Sequence, residues 1–165
     1  MHTDLSNIRF TGKDPANFYP LVRQRVNHYF SSNALSQKAT APMYLKTVIM
    51  LSLYFVPYGF VLSASLSTVW YLIMYALMGF GVLGIGLSVM HDANHNAYFS
   101  SKKLNKWMGY TLNLIGGSSF TWVIQHNKLH HSFTNVYELD EDIHDKPFLR
   151  LSPHGKKAPY HQYQH

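Results

Sequence analysis

The chain has 165 residues, of which 13% are charged, a net charge of +6 and no cysteine. Lack of cysteine excludes disulfides, thiolate metal ligands and cysteine catalysis. The basic excess flanks one uncharged block instead of forming a dense stripe, which argues against nucleic acid and for a membrane as partner.

Residues 1–42 read as a polar N-terminal arm without the short apolar core of a signal peptide. Within it Phe18, Leu21, Val22, Val26, Tyr29 and Phe30 recur at helical spacing, and Asp14-Pro15 suits an N-cap followed by proline at the first helical position. A surface helix is expected there.

Residues 43–90 are expected to form a transmembrane hairpin. From Thr47 to Met90 there are 44 consecutive residues without Asp, Glu, Lys or Arg. That is about twice the ~20 residues a helix needs to cross a bilayer. Met43 to Ser63 makes the first span, with Pro57 and Gly59 as a kink. Ser63 to Ser67 makes the turn and Thr68 to Met90 the second span. Gly79, Gly81, Gly84 and Gly86 offer a small-residue surface for close helix packing. Arg9, Lys13, Arg23, Arg25, Lys38 and Lys46 precede the pair, Lys102, Lys103, Lys106 and Lys128 follow it, and the turn carries no basic residue. The positive-inside rule then places the N-terminus and everything after the hairpin in the cytoplasm.

Trp107 to Ile124 is also uncharged, but Asn113 and Gly116-Gly117-Ser118-Ser119 interrupt it. A spanning segment would put His126 across the membrane from His91. The expectation is a helix lying in the interface or dipping partly into the membrane, broken at Gly116-Gly117, with Trp107, Tyr110, Phe120 and Trp122 at headgroup level.

Nine of the 11 histidines lie between His91 and His165. His91-Asp92-Ala93-Asn94-His95 sets two imidazoles at i and i+4, on one helix face and close enough to share a metal. His126-Asn127-Lys128-Leu129-His130-His131 repeats the pair. It adds His131, turned about 100° from His130 on an α-helix and so pointing elsewhere, an arrangement suited to two ions. All-imidazole ligation fits zinc, copper, iron or nickel. Five histidines exceed the three protein ligands of a catalytic zinc site, which favours a binuclear redox centre. Asp92 and Asn127 stand beside ligands and are candidates to orient an imidazole by hydrogen bonding. Asp140-Glu141-Asp142 reads as a solvated acidic run facing basic residues. His161 and His165 repeat the i, i+4 spacing; His2, His28, His144 and His154 read as surface residues.

His91-Asp92-x-x-His95, followed about thirty residues later by His126-Asn127-x-x-His130-His131, resembles the first two histidine boxes of membrane fatty-acid desaturases. Thr134-Asn135-Val136, Asp140-Glu141-Asp142-Ile143, Arg150-Leu151-Ser152-Pro153 and Tyr160 to His165 are similar to the family's continuation, above all to bacterial linoleoyl-CoA and other front-end desaturases. The resemblance implies an all-α integral membrane fold and a di-iron centre held by His91, His95, His126, His130 and His131. It further implies O2 as co-substrate, an acyl substrate carried by CoA, a carrier protein or a lipid, and ferredoxin or cytochrome b5 as electron donor. His161 and His165 fall outside the family's ligand set. The family's third box follows a second hairpin, so residues 91–165 are expected to form a cytosolic and interfacial histidine-box region truncated before it, and this chain alone is expected to be inactive. The alternatives are a related histidine-box hydroxylase or ketolase, and an inactive truncated fragment.

Overall fold

Lipid offers the backbone no hydrogen-bond partners, so a long uncharged segment crosses it as a helix or a closed barrel. In the computed structural model, which describes residues 12, 16–63, 65–144, 146 and 148–164, all regular structure among the described residues is helical. The chain divides into two compact units, residues 1–37 and 38–165.

In the first unit α1 spans Phe18–Ser32, and Asn17 precedes it in a left-handed conformation, φ 49°. Asp14 and Pro15, expected to start this helix, lie outside the described residues. None of the helix's residues is buried: Phe18 and Tyr19 are each 68% exposed.

The second unit opens with α2, Ala41–Ser63, two residues earlier than expected and continuous through Pro57. After the turn, α3 (Thr68–Gly84) runs into a π-helical stretch, Ile85–Val89, and then α4 (Met90–Asn94). Together α3 to α4 make one 27-residue rod, and among the described residues it and the 23-residue α2 are the two helices long and apolar enough to cross a membrane. At about 1.5 Å per residue, α2 is about 35 Å long, enough for a hydrocarbon core of about 30 Å. Leu62, Leu72, Phe80 and Leu87 are well exposed, so neither helix resembles the buried core helix of a water-soluble domain.

Two of the four hairpin glycines make the close approach. A Cβ on Gly81 would lie 2.7 Å from the Tyr54 backbone nitrogen, and one on Gly84 would collide with the Met50 side chain, whereas Gly79 and Gly86 face open space. The spacing i, i+3 puts Gly81 and Gly84 on the seam; Gly79 and Gly86 fall off it.

The chain leaving α4 is tied back to the start of α2. Tyr98 is 1% exposed, and its hydroxyl lies 2.7 Å from Thr47 Oγ1. The Ala39 N–H donates to the Tyr98 carbonyl at 3.0 Å, and Lys38 Nζ donates to the Asn96 carbonyl at 2.7 Å. Buried Asn105 then pairs both amide atoms with the Phe99 backbone, at 2.8 and 2.7 Å.

Beyond this lock, α5 (Lys102–Gly109), α6 (Thr111–Leu114) and α7 (Ser119–Trp122) are short. The helix expected over Trp107 to Ile124 with a break at Gly116-Gly117 is divided further: α5, which already starts at Lys102, and α6 lie before that break, and α7 follows it. The break falls at Gly116, whose φ of +90° favours glycine. Ser118 restarts the chain by accepting the Thr121 N–H at 3.2 Å. A second π-helical stretch, Val123–His130, follows, then short 3-10 turns at Glu141–Ile143 and Pro159–Tyr163.

Candidate metal centre

Both histidine boxes are set by local hydrogen bonding. His91 lies on α4 and His95 caps its end; the His95 N–H donates to the His91 carbonyl at 3.1 Å in ordinary α-helical fashion, and their rings meet at 4.6 Å. The second box differs from the α-helix expected of it. It lies on the π-helical stretch, where hydrogen bonds reach i+5, a form concentrated at functional sites. The His131 N–H donates to the His126 carbonyl. This wider turn brings His131 edge-on to His126 instead of turning it away: their ring centroids are 5.1 Å apart, and His131 is 4.9 Å from His95. An α-helical rotation of about 100° per residue concealed this.

The boxes, about thirty residues apart in sequence, converge. His126 lies 5.2 Å from both His91 and His95, and His130 stacks on His126 at 5.0 Å. One ligand atom from each of His91, His95 and His126 falls within 4.8 Å of the others. The Asn127 side-chain N–H donates to the Asn94 carbonyl at 2.9 Å, a direct brace between the two boxes, while its Oδ1 is enclosed without a partner.

Carboxylates meet the Nδ1 side of three rings. His91 Nδ1 is 3.2 Å from Asp92 Oδ1, His126 Nδ1 is 3.0 Å from Asp142 Oδ2, and His130 Nδ1 is 2.8 Å from Asp140 Oδ1. A carboxylate on Nδ1 fixes the tautomer with its proton there and leaves Nε2 as the free lone pair, the usual support for a metal-binding histidine. His126, His130 and Asp142 also form a group of metal-ligating type. Asp142 sits at hydrogen-bond distance from both Nδ1 atoms, 3.0 and 3.4 Å, which is the geometry of an orienting acceptor.

Asp140 and Asp142 are the residues that sequence reasoning undervalued. Asp140 is fully buried. Burial works to raise its pKa, but hydrogen bonds from His130 and from the Asn135 and Asp142 backbone N–H groups prevail and hold the carboxyl below its ordinary range. Those backbone bonds are 2.7 and 3.0 Å long. Asn135, at φ 64°, makes the reversal that points its N–H inward. The acidic run is thus only partly solvated.

The rings themselves suit a cation. Burial, reinforced by the neighbouring His91, His126 and His131, pushes His95 down to about 4, so it is neutral near pH 7 with a lone pair available. His126 is lowered too: burial is the main cause, and Asp142 opposes it. Trp122 lies on this cluster, stacked on His126 at 4.4 Å and edge-on to His91 and His95 at 5.6 Å. A cavity of about 410 Å³ opens beside Trp122, His91 and His126, with Gly86 and Leu87 of the membrane-type helix on one side and Asp142 on the other.

Of the remaining histidines, His28, His144 and His154 are exposed, His161 stands apart from the cluster's ring contacts, and His2 and His165 lie outside the described residues.

A helical hairpin apolar and long enough to cross a membrane leads directly into a cluster of five imidazoles backed by carboxylates, a donor set that could hold metal. The fatty acid desaturase family model matches residues 68–164, and the chain belongs to that family. It is 38% identical over 162 residues to the sn-1 linoleoyl-lipid 6-desaturase of Synechocystis sp., covering 95% of this chain and 43% of that protein. It is 36% identical over 145 residues to the enzyme of the same name from Arthrospira platensis, covering 87% of this chain and 39% of the relative. It is also 36% identical over 162 residues to the acyl-lipid (8-3)-desaturase of Physcomitrium patens, covering 97% and 34%. The chain thus spans about two fifths or less of the length of these relatives. No solved structure matches it.

Proposed function

We propose that this chain supplies the histidine-box face of an O2-dependent fatty-acyl desaturase that introduces a double bond into a lipid-linked acyl chain. The observation that carries this is the convergence of His91, His95, His126, His130 and His131 at the end of an apolar hairpin, with carboxylates on three of the Nδ1 atoms. The donor set fits iron: imidazoles, no thiolate, and more nitrogens than one zinc takes. These five residues would hold a pair of irons, which when bound supply the oxidising power needed to break unactivated C–H bonds.

The protein's own residues perform the remaining tasks. Asp92, Asp142 and Asp140 hold the Nδ1 protons of His91, His126 and His130. Asn127 keeps the two boxes in register. Trp122 and Leu87 line the adjacent cavity with apolar surface, keeping water from the rings and giving an acyl chain a route from the lipid. Overall, two hydrogens leave the acyl chain and O2 is reduced to two waters with two further electrons from a donor, for which ferredoxin or cytochrome b5 is suited, and two protons from solvent.

The test is to produce a full-length desaturase that contains this chain together with a third histidine box, supply such a donor, and analyse acyl methyl esters by mass spectrometry. A new double bond that requires oxygen and is lost with iron chelation is the expected result. A hydroxylated or keto product would instead assign the same boxes to a hydroxylase or ketolase, and no modified acyl chain would refute the reading.

The same reading places the N-terminus and both boxes on the cytoplasmic side, with α5 to α7 in the interface. A cysteine introduced at Ser65 should react with an impermeant maleimide from outside intact cells, and one at Lys103 should react only after permeabilisation. Labelling of Lys103→Cys from outside would reverse the topology.

A further inference from the structure

Lys146 and residues 148–164 hold a second polar site, which adjoins the cavity at the histidine cluster through Lys146, a residue that lines both. The sequence there carries Lys146, Arg150, Lys156 and Lys157 and no Asp or Glu. The loop is closed on itself. The Arg150 N–H donates to Gln164 Oε1 at 3.0 Å, and the Gln164 amide returns a bond to the Arg150 carbonyl at 2.8 Å. The Arg150 guanidinium is spent on the loop, with Nε donating to the Gly155 carbonyl at 2.9 Å and Nη2 to the Pro153 carbonyl. Arg150 therefore braces the loop, and it also lines the smaller of the two cavities beside His161.

His161 is the key to those cavities. The Ala158 N–H donates to His161 Nδ1 at 2.9 Å, so Nδ1 is an acceptor and carries no proton. A neutral imidazole then has its proton on Nε2, which makes Nε2 a donor. That Nε2 is enclosed and has no partner. An enclosed donor left without an acceptor is costly, and such orphans mark sites completed by a ligand or water. His161 lines two adjoining cavities, of about 410 and 320 Å³, and Lys157 lines both with it. Lys146 joins them in the larger one, whose remaining wall includes Leu149 and Tyr160. An N–H donor flanked by ammonium groups, next to apolar surface, is a receptor for an anionic oxygen attached to something greasy.

We propose that this cavity binds a phosphate group, with His161 Nε2–H and the Lys157 and Lys146 ammonium groups on its oxygens and the apolar wall against the carbon it is esterified to. On the acyl-lipid reading above, on which only the identity of the source rests, that phosphate is the headgroup of the lipid whose acyl chain reaches the histidine cluster. A soluble phosphate ester offers the same chemistry.

Calorimetric titration of the full chain in uncharged detergent tests this with three probes: dihexanoyl phosphatidate, inorganic phosphate and dihexanoyl glycerol. Phosphatidate should bind, and the uncharged glyceride should not. Tighter binding of phosphatidate than of phosphate assigns the site to a lipid headgroup; equal binding assigns it to a soluble phosphate. Lys157→Gln and His161→Phe should each weaken phosphatidate binding about tenfold, the loss expected for one charge-assisted or otherwise enclosed hydrogen bond. Lys103→Gln, a basic residue outside the loop, should leave it unchanged. Lys157 is exposed, so its replacement tests the site without threatening the fold. His161→Gln should recover part of the loss by restoring an N–H donor. The proposal is overturned if no phosphate probe binds, or if both variants bind as tightly as the parent. Because binding is read without turnover, failure here leaves the desaturase reading standing, and absence of product leaves this measurement valid.

Discussion

Alanine in place of any one of His91, His95, His126, His130 or His131 should remove both bound iron and double-bond formation to below detection, in a full-length desaturase that contains this chain and is produced with its electron donor. The reason is geometric. The five rings form one connected cluster, with His126 within 5.2 Å of each of the other four. Removing one opens the coordination of a metal the others hold in common. His161→Ala should keep its iron, because that ring hydrogen-bonds within a separate loop. Asp92→Ala should fall between, since losing the partner of a metal-bound imidazole typically costs about 10–100-fold in metal affinity or activity. Iron per protein and product per hour are measured side by side. Full iron and full activity in any second-box variant would remove the di-iron assignment. Loss of iron in His161→Ala as complete as in His130→Ala would join two sites that the structure separates.

The second large effect is expected at Asp140. Its carboxylate is fully buried and accepts from His130 Nδ1, the Asn135 N–H and the Asp142 N–H. Asp140→Ala leaves those donors without an acceptor, at about 1–3 kcal/mol for each one that stays buried. It also frees the His130 ring, which should weaken iron binding by about 10–100-fold. Asp140→Asn preserves the volume but must turn an NH2 toward one of the donors, so it should rescue packing better than metal binding. Asp142→Ala should be milder on stability, because that side chain is 44% exposed and water can replace it. Thermal unfolding separates the stability effect, and iron retention below the melting range separates the effect on the site. A stable Asp140→Ala variant with unchanged iron would show that the carboxylate is not what holds His130.

The sequence by itself determined whatever depends on near neighbours. Forty-four uncharged residues must satisfy their own backbone, so the hairpin was legible. Two imidazoles four residues apart share a helix face, so His91 with His95 and His126 with His130 could be paired on paper. Gly81 and Gly84 were visible as small residues, but which of the four glycines lay on the seam depended on how α2 docks.

The tertiary structure decided the rest. The acidic run looked solvated because such runs usually are. Only the reversal at Asn135 brings Asp140 back to a ring ten residues earlier, and only the turn beyond it brings Asp142 to a ring sixteen residues earlier. The place of His131 in the cluster rests on a switch from i+4 to i+5 hydrogen bonding, which residue spacing does not encode, because α- and π-turns differ by one carbonyl and tertiary packing selects between them. His161 read as a bystander in the sequence because nothing local shows that one of its nitrogens is occupied and the other enclosed. That follows from how the loop closes through Arg150 and Gln164, contacts 14 residues apart whose formation depends on the folded chain.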